Sequence, residues 1–162
     1  MISINRTIIT LLVFGTVFCQ EHKPLRPVST YSIVAVDQET GQMGVAVQSH
    51  WFSVGSLVTW AEPGVGVVAT QSFVRPEYGP ELLHLMSRGY SAKTAINKLT
   101  AQDTERNVRQ IGVVRIDGQS ASYTGEDCVS FASGLEGAGY AIQANIMANP
   151  GVPEAMELAY LT

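Results

Sequence analysis

Short apolar runs separated by turn residues dominate the first half of the chain. Residues 31–36 and 43–48 are two such runs, and the polar segment between them contains Gly41, which suits a turn. This pattern predicts a β-hairpin. The apolar runs at 55–61 and 65–70 predict a third and a fourth strand. Because these strands are apolar on both faces, they need packing partners on both sides.

Helical spacing replaces the strand pattern after residue 78. Pro80 suits a first helical turn, and Leu82, Leu85 and Met86 share the face of a helix that is predicted to end by Gly89. Ser91 is placed to cap a second helix. The apolar residues of that helix recur at helical spacing: Ala92, Ala95, Ile96 and Leu99.

Strand patterns return at residues 110–116, 120–124 and 139–145, and a last helix is predicted to begin at Val152. Asp117 and Gly118 separate the first two of these runs, which is a strong hairpin signal. The order of strands, helices, strands and helix predicts α+β architecture, with two stacked sheets and helices outside them. The residues expected in its core are Val34, Val45, Val68, Val113 and Ile142.

The N-terminal residues follow neither pattern. Arg6 precedes an apolar run from Thr7 to Cys19 that has the length of a signal-peptide core and is short for a membrane span. We expect residues 1–19 to be a signal peptide, residues 20–29 a linker or pro-segment, and residues 30–162 the folded domain. A buried N-terminal element and a lipid anchor on Cys19 are the alternatives. The expected location is the periplasm or the extracellular space.

Composition and charge exclude several classes of function. The 162 residues suit one domain, and the net charge of -4, with no basic stripe, argues against binding to nucleic acid. No membrane span is expected in the mature form. The oligomeric state stays open, a homo-oligomer included.

Metal and cofactor chemistry has no signature in the sequence. The three histidines are not at ligand spacing, the cysteines are not paired, and no phosphate-binding loop occurs. We therefore predict no metal site and no cofactor. Cys128 follows two acidic residues, which oppose thiolate formation, so a packing or surface role is expected for it.

Several segments in a fixed order resemble the DUF1028 family. These are residues 30–37, 44–47, 64–71, 78–80, 109–114, 124–128 and 139–146. That family is grouped with the N-terminal-nucleophile (Ntn) hydrolases. The resemblance implies a four-layer αββα sandwich of two stacked antiparallel sheets. It also implies a domain that continues beyond Thr162.

The resemblance further implies a mechanism. In this superfamily the first residue of the mature chain attacks an amide carbonyl, and its own α-amine takes the proton. Thr30 occupies the matching position. The turn at Gln71 and Ser72 would supply N–H groups to the oxyanion, and Arg75, His50 and Thr70 would contact the substrate. The lysine that many relatives carry on the third strand is missing between Lys23 and Lys93.

Two functions are consistent with this sequence. The first is an exported amide hydrolase that acts on a small-molecule or peptide amide through Thr30. The second is a binding or structural module that keeps the fold without catalysis. Ser29 and a long leader precede Thr30 here, so the amine is an amide until the chain is cut before Thr30. A mature chain that begins at Gln20 would favour the second function.

Overall fold

The computed structural model describes residues 28–162. The predicted signal peptide at 1–19, and the predicted linker up to residue 27, lie outside the described residues. The described part contains eight strands, four α-helices and a 3₁₀ turn at Arg106–Val108. In chain order the elements are β1 Thr30–Val36, β2 Met43–Ser49, α1 Gly55–Val58, β3 Thr59–Glu62, β4 Gly66–Ser72, α2 Tyr78–Ser87, α3 Ala92–Thr100, β5 Arg109–Arg115, β6 Ser120–Thr124, β7 Ser133–Gly137, β8 Tyr140–Asn145 and α4 Val152–Leu161.

The strands form two antiparallel sheets of four strands each. The first sheet has the order β2-β1-β8-β7 and the second has the order β3-β4-β5-β6. The sheets face each other through the contacts of β1 with β4 and of β5 with β8. Helices α2 and α3 pack on the second sheet, and α4 packs on β7 and β8 of the first. The predicted α+β sandwich of two antiparallel sheets between helices is therefore confirmed.

Two apolar clusters fill the interior. One lies between the sheets and includes Val34, Val67 and Val114, and the other lies between the second sheet and its helices. Four of the five predicted core residues are fully buried, although Val68 and Val113 face the helices rather than the opposite sheet. Val45 is only half-buried because β2 is an edge strand.

The predicted turns and caps agree with the structure, whereas two elements, α1 and β7, differ from the prediction. Ser91 caps α3 by accepting a hydrogen bond from the backbone N–H of Thr94, and Gly118 has φ +82° in the β5–β6 turn. The segment that was expected to be a strand from residue 55 begins instead with helix α1. Strand β7 has no counterpart among the predicted strands. Within residues 28–162, no helix is long and apolar enough to cross a membrane.

Candidate active site

A cleft with a volume of about 480 Å³ opens where β1, β4 and β8 reach the same end of the two sheets. One part of its lining is polar and consists of Thr30, Ser49, Gln71, Ser72, Arg109 and Asn145. The other part is apolar and includes Trp51, Val54, Leu57, Phe73, Val129 and Ile146. The cleft therefore combines hydrogen-bonding groups on strand ends with an apolar wall built from loops and α1.

Thr30 is the first residue of β1, a central strand of its sheet, and it is 8% exposed. Its Oγ1 lies 2.7 Å from the Oγ of Ser49 and 3.4 Å from the carbonyl oxygen of Val28. Because a carbonyl oxygen only accepts, Thr30 donates to Val28, and this leaves Ser49 to donate to Thr30. Ser49 in turn accepts a hydrogen bond from the backbone N–H of Trp51. The Thr30 hydroxyl is thus held between a donor and an acceptor.

Gln71 and Ser72 stand at the end of β4, across the cleft from Thr30. The pairing of Gln71 with Gln110 and the bond from the N–H of Phe73 to the carbonyl of Val108 fix the β4–β5 ladder. In this register Gln71 directs its carbonyl to β5, so the N–H of Ser72 points away from β5. On the side of β4 opposite β5, strand β3 pairs only with Gly66 to Ala69 and does not reach Ser72.

Two residues of the cleft lining have left-handed backbone conformations. Ser72 has φ 69° and Ile146 has φ 57°, which is uncommon for residues other than glycine. Each follows or ends a strand, β4 for Ser72 and β8 for Ile146. The carbonyl of Ile146 accepts a hydrogen bond from the hydroxyl of Ser29 at 2.8 Å, which ties the residue before Thr30 to the cleft wall.

Two amide side chains of the cleft lining, those of Gln71 and Asn145, contact a third amide that lies outside the lining. Gln110 is fully buried, and its Oε1 accepts hydrogen bonds from Gln71 at 2.7 Å and from Asn145 at 3.0 Å. Its Nε2 donates to the carbonyl oxygens of Ser133 and Ala144. Gln110 therefore links strands of both sheets at the cleft end of the interior.

Arg109 is the one charged residue among the described residues that line the cleft. Its guanidinium contacts Asp103 at 2.9 Å and Glu105, and it donates to the carbonyl of Phe73 at 2.7 Å. Two carboxylates thus compensate its charge. This arrangement suits a structural anchor for the Phe73 loop better than a cation offered to a ligand.

Asp103 and Tyr78, which are joined by a hydrogen bond, both have shifted pKa values. Burial by itself raises the pKa of Asp103, but hydrogen bonds from Arg109, from the backbone of Glu105 and from Tyr78 outweigh burial and hold that pKa below its ordinary value. Burial, and then the hydrogen bond to Asp103, raise the pKa of Tyr78 well above its ordinary value. Asp103 is therefore an anion and Tyr78 a neutral donor across the physiological range.

Three residues predicted to contact the substrate do not line this cleft. Thr70 lies two residues from Val68 on β4, so its side chain is on the face towards the helices. His50 follows β2 and is exposed. Arg75 forms ion pairs with Glu77 at 4.0 Å and Glu81 at 3.5 Å. The structure brings together Thr30, Gln71 and Ser72, but it does not bring these three residues to them.

The remaining chemical candidates have ordinary surroundings. Cys128 is buried and its Sγ donates to the carbonyl of Arg109 at 3.3 Å, which confirms a packing role. Across the described residues, no three His, Cys, Asp or Glu side chains come together in a way that could hold a metal ion.

Comparison with known families decides where this domain belongs. Residues 30–162 match the family of unknown function DUF1028. The chain belongs to the DUF1028 family. No curated protein matches it.

A solved structure of the same family is similar to this DUF1028 domain. It is the crystal structure of protein SPO2555 from Silicibacter pomeroyi, with 28% sequence identity and a TM-score of 0.80. The match covers 83% of this chain and 60% of the other. The chain therefore spans about three fifths of the length of that relative.

The sequence pattern did not reveal three polar residues that line this DUF1028 cleft, namely Ser49, Arg109 and Asn145, nor Gln110, whose buried amide contacts Gln71 and Asn145. A polar residue inside an apolar strand run is usually read as a solvent-facing position or a strand end. The signal that could have found Gln110 and Asn145 is their place within strands that have no solvent-exposed face.

Proposed function

We propose that this protein is an exported amide hydrolase of the Ntn type, with Thr30 as the nucleophile after cleavage between Ser29 and Thr30. The observation that carries the proposal is the position of the Thr30 hydroxyl on the first residue of a central strand, in the lining of the cleft that also contains Gln71 and Ser72. Two antiparallel sheets between helices are the architecture expected of an Ntn hydrolase. Export rests on the predicted signal peptide.

Cleavage before Thr30 would change its chemistry in two ways. In the intact chain the Thr30 hydroxyl donates to the carbonyl of Val28, and its nitrogen is an amide without basicity. Removal of the residues up to Ser29 removes that acceptor and creates an α-amine, whose pKa is about 8. The amine could then take the hydroxyl proton within the same residue.

The reaction would proceed in two steps. Thr30 Oγ1 bonds to the amide carbonyl carbon while its proton passes to the α-amine, and the carbon–nitrogen bond then breaks as the leaving nitrogen takes that proton. Water attacks the resulting ester and releases the acid and the free Thr30. Ser49, which donates to Thr30 Oγ1, would stabilise the developing alkoxide in place of a lysine.

The oxyanion needs donors that the sheet does not already use. The N–H of Ser72 points away from the β4–β5 ladder and belongs to a residue in the cleft lining. One such donor is worth roughly 3 kcal/mol of transition-state stabilisation. Ser72 is therefore the proposed oxyanion donor, and Gln71 holds the strand end that positions it.

A non-catalytic binding module is the second candidate, and the apolar half of the cleft favours it. This wall could hold an apolar ligand with the chain uncut. It includes Trp51, Val54, Leu57, Phe73 and Val129. The two candidates differ in whether the α-amine of Thr30 is ever released.

Three proteins test the proposal: one that begins at Thr30, one that begins at Gln20, and one that begins with alanine in a Thr30→Ala variant. We expect hydrolysis of a panel of small amides by the first alone, with the release of amine as the readout. A Ser49→Ala variant of the first protein should be slower by about tenfold or more. Equal rates in the first and third proteins would eliminate Thr30 as the nucleophile and leave the binding module.

A further inference from the structure

We propose that Gln71 selects the substrate, because its side-chain oxygen accepts a hydrogen bond from the N–H of a secondary amide whose substituents are apolar. The cleavage of this amide rests on the proposed function, whereas its binding does not. The inference depends on the orientation of three buried amide groups, on one unpaired oxygen and on the apolar wall of the cleft.

The neighbours of Gln110 fix the orientation of its amide. One end of this amide lies 3.1 Å from the carbonyl oxygen of Ser133 and 3.0 Å from that of Ala144. Carbonyl oxygens only accept hydrogen bonds, so this end is the nitrogen. The other end is therefore Oε1, and the groups that contact it must donate. Hence Gln71 and Asn145 both turn their nitrogens towards Gln110.

This arrangement leaves Gln71 with an oxygen that nothing in the described chain satisfies. Its nitrogen is used by Gln110, and its Oε1 is buried and accepts no hydrogen bond from the described residues. Gln71 is 1% exposed and lies in the cleft lining. An unpaired buried acceptor costs about 1–3 kcal/mol, and such groups in native proteins call for a reason. A ligand N–H would recover this free energy on binding.

The rest of the lining indicates what the amide carries. Trp51 and Phe73 are exposed large apolar side chains, and both border the cleft with Leu57 and Val129. Arg109 is compensated by Asp103 and Glu105, so it does not favour an anionic ligand. Apolar substituents on both sides of the amide would cover this surface, whereas charged ones would lose their hydration without a partner.

The assignment predicts discrimination by a single group. An ester of the same shape places an oxygen lone pair against Oε1, and a tertiary amide places a methyl group there. Sites built around a hydrogen bond reject analogues that lack it, because the buried partner stays unpaired. A secondary amide should therefore bind more tightly than either analogue.

Calorimetric titration of the full chain with three probes tests this. The probes are N-benzylhexanamide, its N-methyl derivative and the matching ester, benzyl hexanoate. We expect the secondary amide to bind at least about tenfold more tightly than the other two. Equal affinities for all three probes would overturn the role of Gln71, and failure of every probe to bind would overturn the apolar substituents.

Two variants assign the effect to one residue. Gln71→Met removes the acceptor and should abolish the preference, with a midpoint of unfolding that is unchanged or higher. Gln143→Met is the matched control, because Gln143 also has a buried unpaired amide atom but is outside the cleft lining. It should keep the preference. A preference that persists in Gln71→Met would overturn the assignment. If that variant does not fold, the affinities of the three probes for the unaltered protein still test the role of Gln71.

Binding and turnover separate this inference from the proposed function. A preference for the secondary amide without hydrolysis by the protein that begins at Thr30 supports the inference and refutes the hydrolase. Hydrolysis of the amide and of its N-methyl derivative at equal efficiency refutes the inference and supports the hydrolase.

Discussion

The two interiors of this domain differ in chemistry. Between the second sheet and its helices, the buried cluster consists of apolar side chains such as Leu82, Ile96 and Ile111. Between the two sheets, apolar residues fill one end, but the cleft end holds Gln71 and Gln110, both buried. A core that served stability alone would be apolar throughout, because buried polar groups gain little and cost much when unpaired. The polar end therefore marks where function is expected.

The largest expected effect comes from the ion pair of Arg109 and Asp103, on the helix side of the second sheet. Arg109→Met leaves Asp103 buried without its main partner, so we expect a loss of about 3–5 kcal/mol in the free energy of unfolding. Urea denaturation measures it. A loss below about 1 kcal/mol would mean that the pair is solvated and does not stabilise the fold.

The apolar interior should respond almost as strongly, but in stability alone. Leu82 is a fully buried residue of α2, and Leu82→Ala should cost about 3 kcal/mol through the lost transfer free energy and the cavity. Binding of N-benzylhexanamide should be unchanged in the folded variant. A parallel loss of affinity would show that the two interiors are coupled rather than distinct.

Two valine substitutions compare the stability contributed by a central strand with that contributed by an edge strand. Val113 on the central strand β5 is fully buried, and Val113→Ala should cost about 1–3 kcal/mol. Val45 on the edge strand β2 is half-buried, so Val45→Ala should cost clearly less. Equal shifts of the denaturation midpoint would contradict the assignment of the core to the central strands.

Acid should weaken the ion pair of Asp103 and Arg109 selectively. The pKa of Asp103 is lower in the folded than in the unfolded chain, so its contribution is present above the unfolded value of about 3.9 and is lost as the pH falls through the folded value. The difference in unfolding free energy between the unaltered protein and Asp103→Asn should therefore be constant from pH 7 to about pH 5 and shrink below about pH 4. A difference that stays constant down to pH 2 would exclude Asp103 as the source.

Much of the fold follows from local patterns. The β1–β2 and β5–β6 hairpins and helices α2 and α3 agree with the apolar spacing and with Ser91 and Gly118. Helix α1 was not predicted, because a short apolar run such as residues 55–61 does not distinguish strand from helix. Strand β7 contains two glycines and a single large apolar residue, so it depends on pairing with β8 rather than on its own propensity.

The candidate site was predictable only in part, because most of it depends on register. Thr30, Gln71 and Ser72 follow from the family resemblance, and they share one cleft. The resemblance also placed Thr70 with them, yet alternation along β4 turns it towards the helices. Gln110 and Asn145 come together through the packing of two sheets, which no local pattern encodes.

The central claim is that a free N-terminal Thr30 is the nucleophile, and covalent labelling tests it most directly. A β-lactone should acylate a protein that begins at Thr30 once per chain, with the adduct on Thr30 by peptide mass mapping. The same reagent should not label a protein that begins at Ser29, nor a Thr30→Ala protein that begins with alanine and so keeps a free α-amine. Equal labelling of all three proteins, or no adduct on Thr30, would contradict the account.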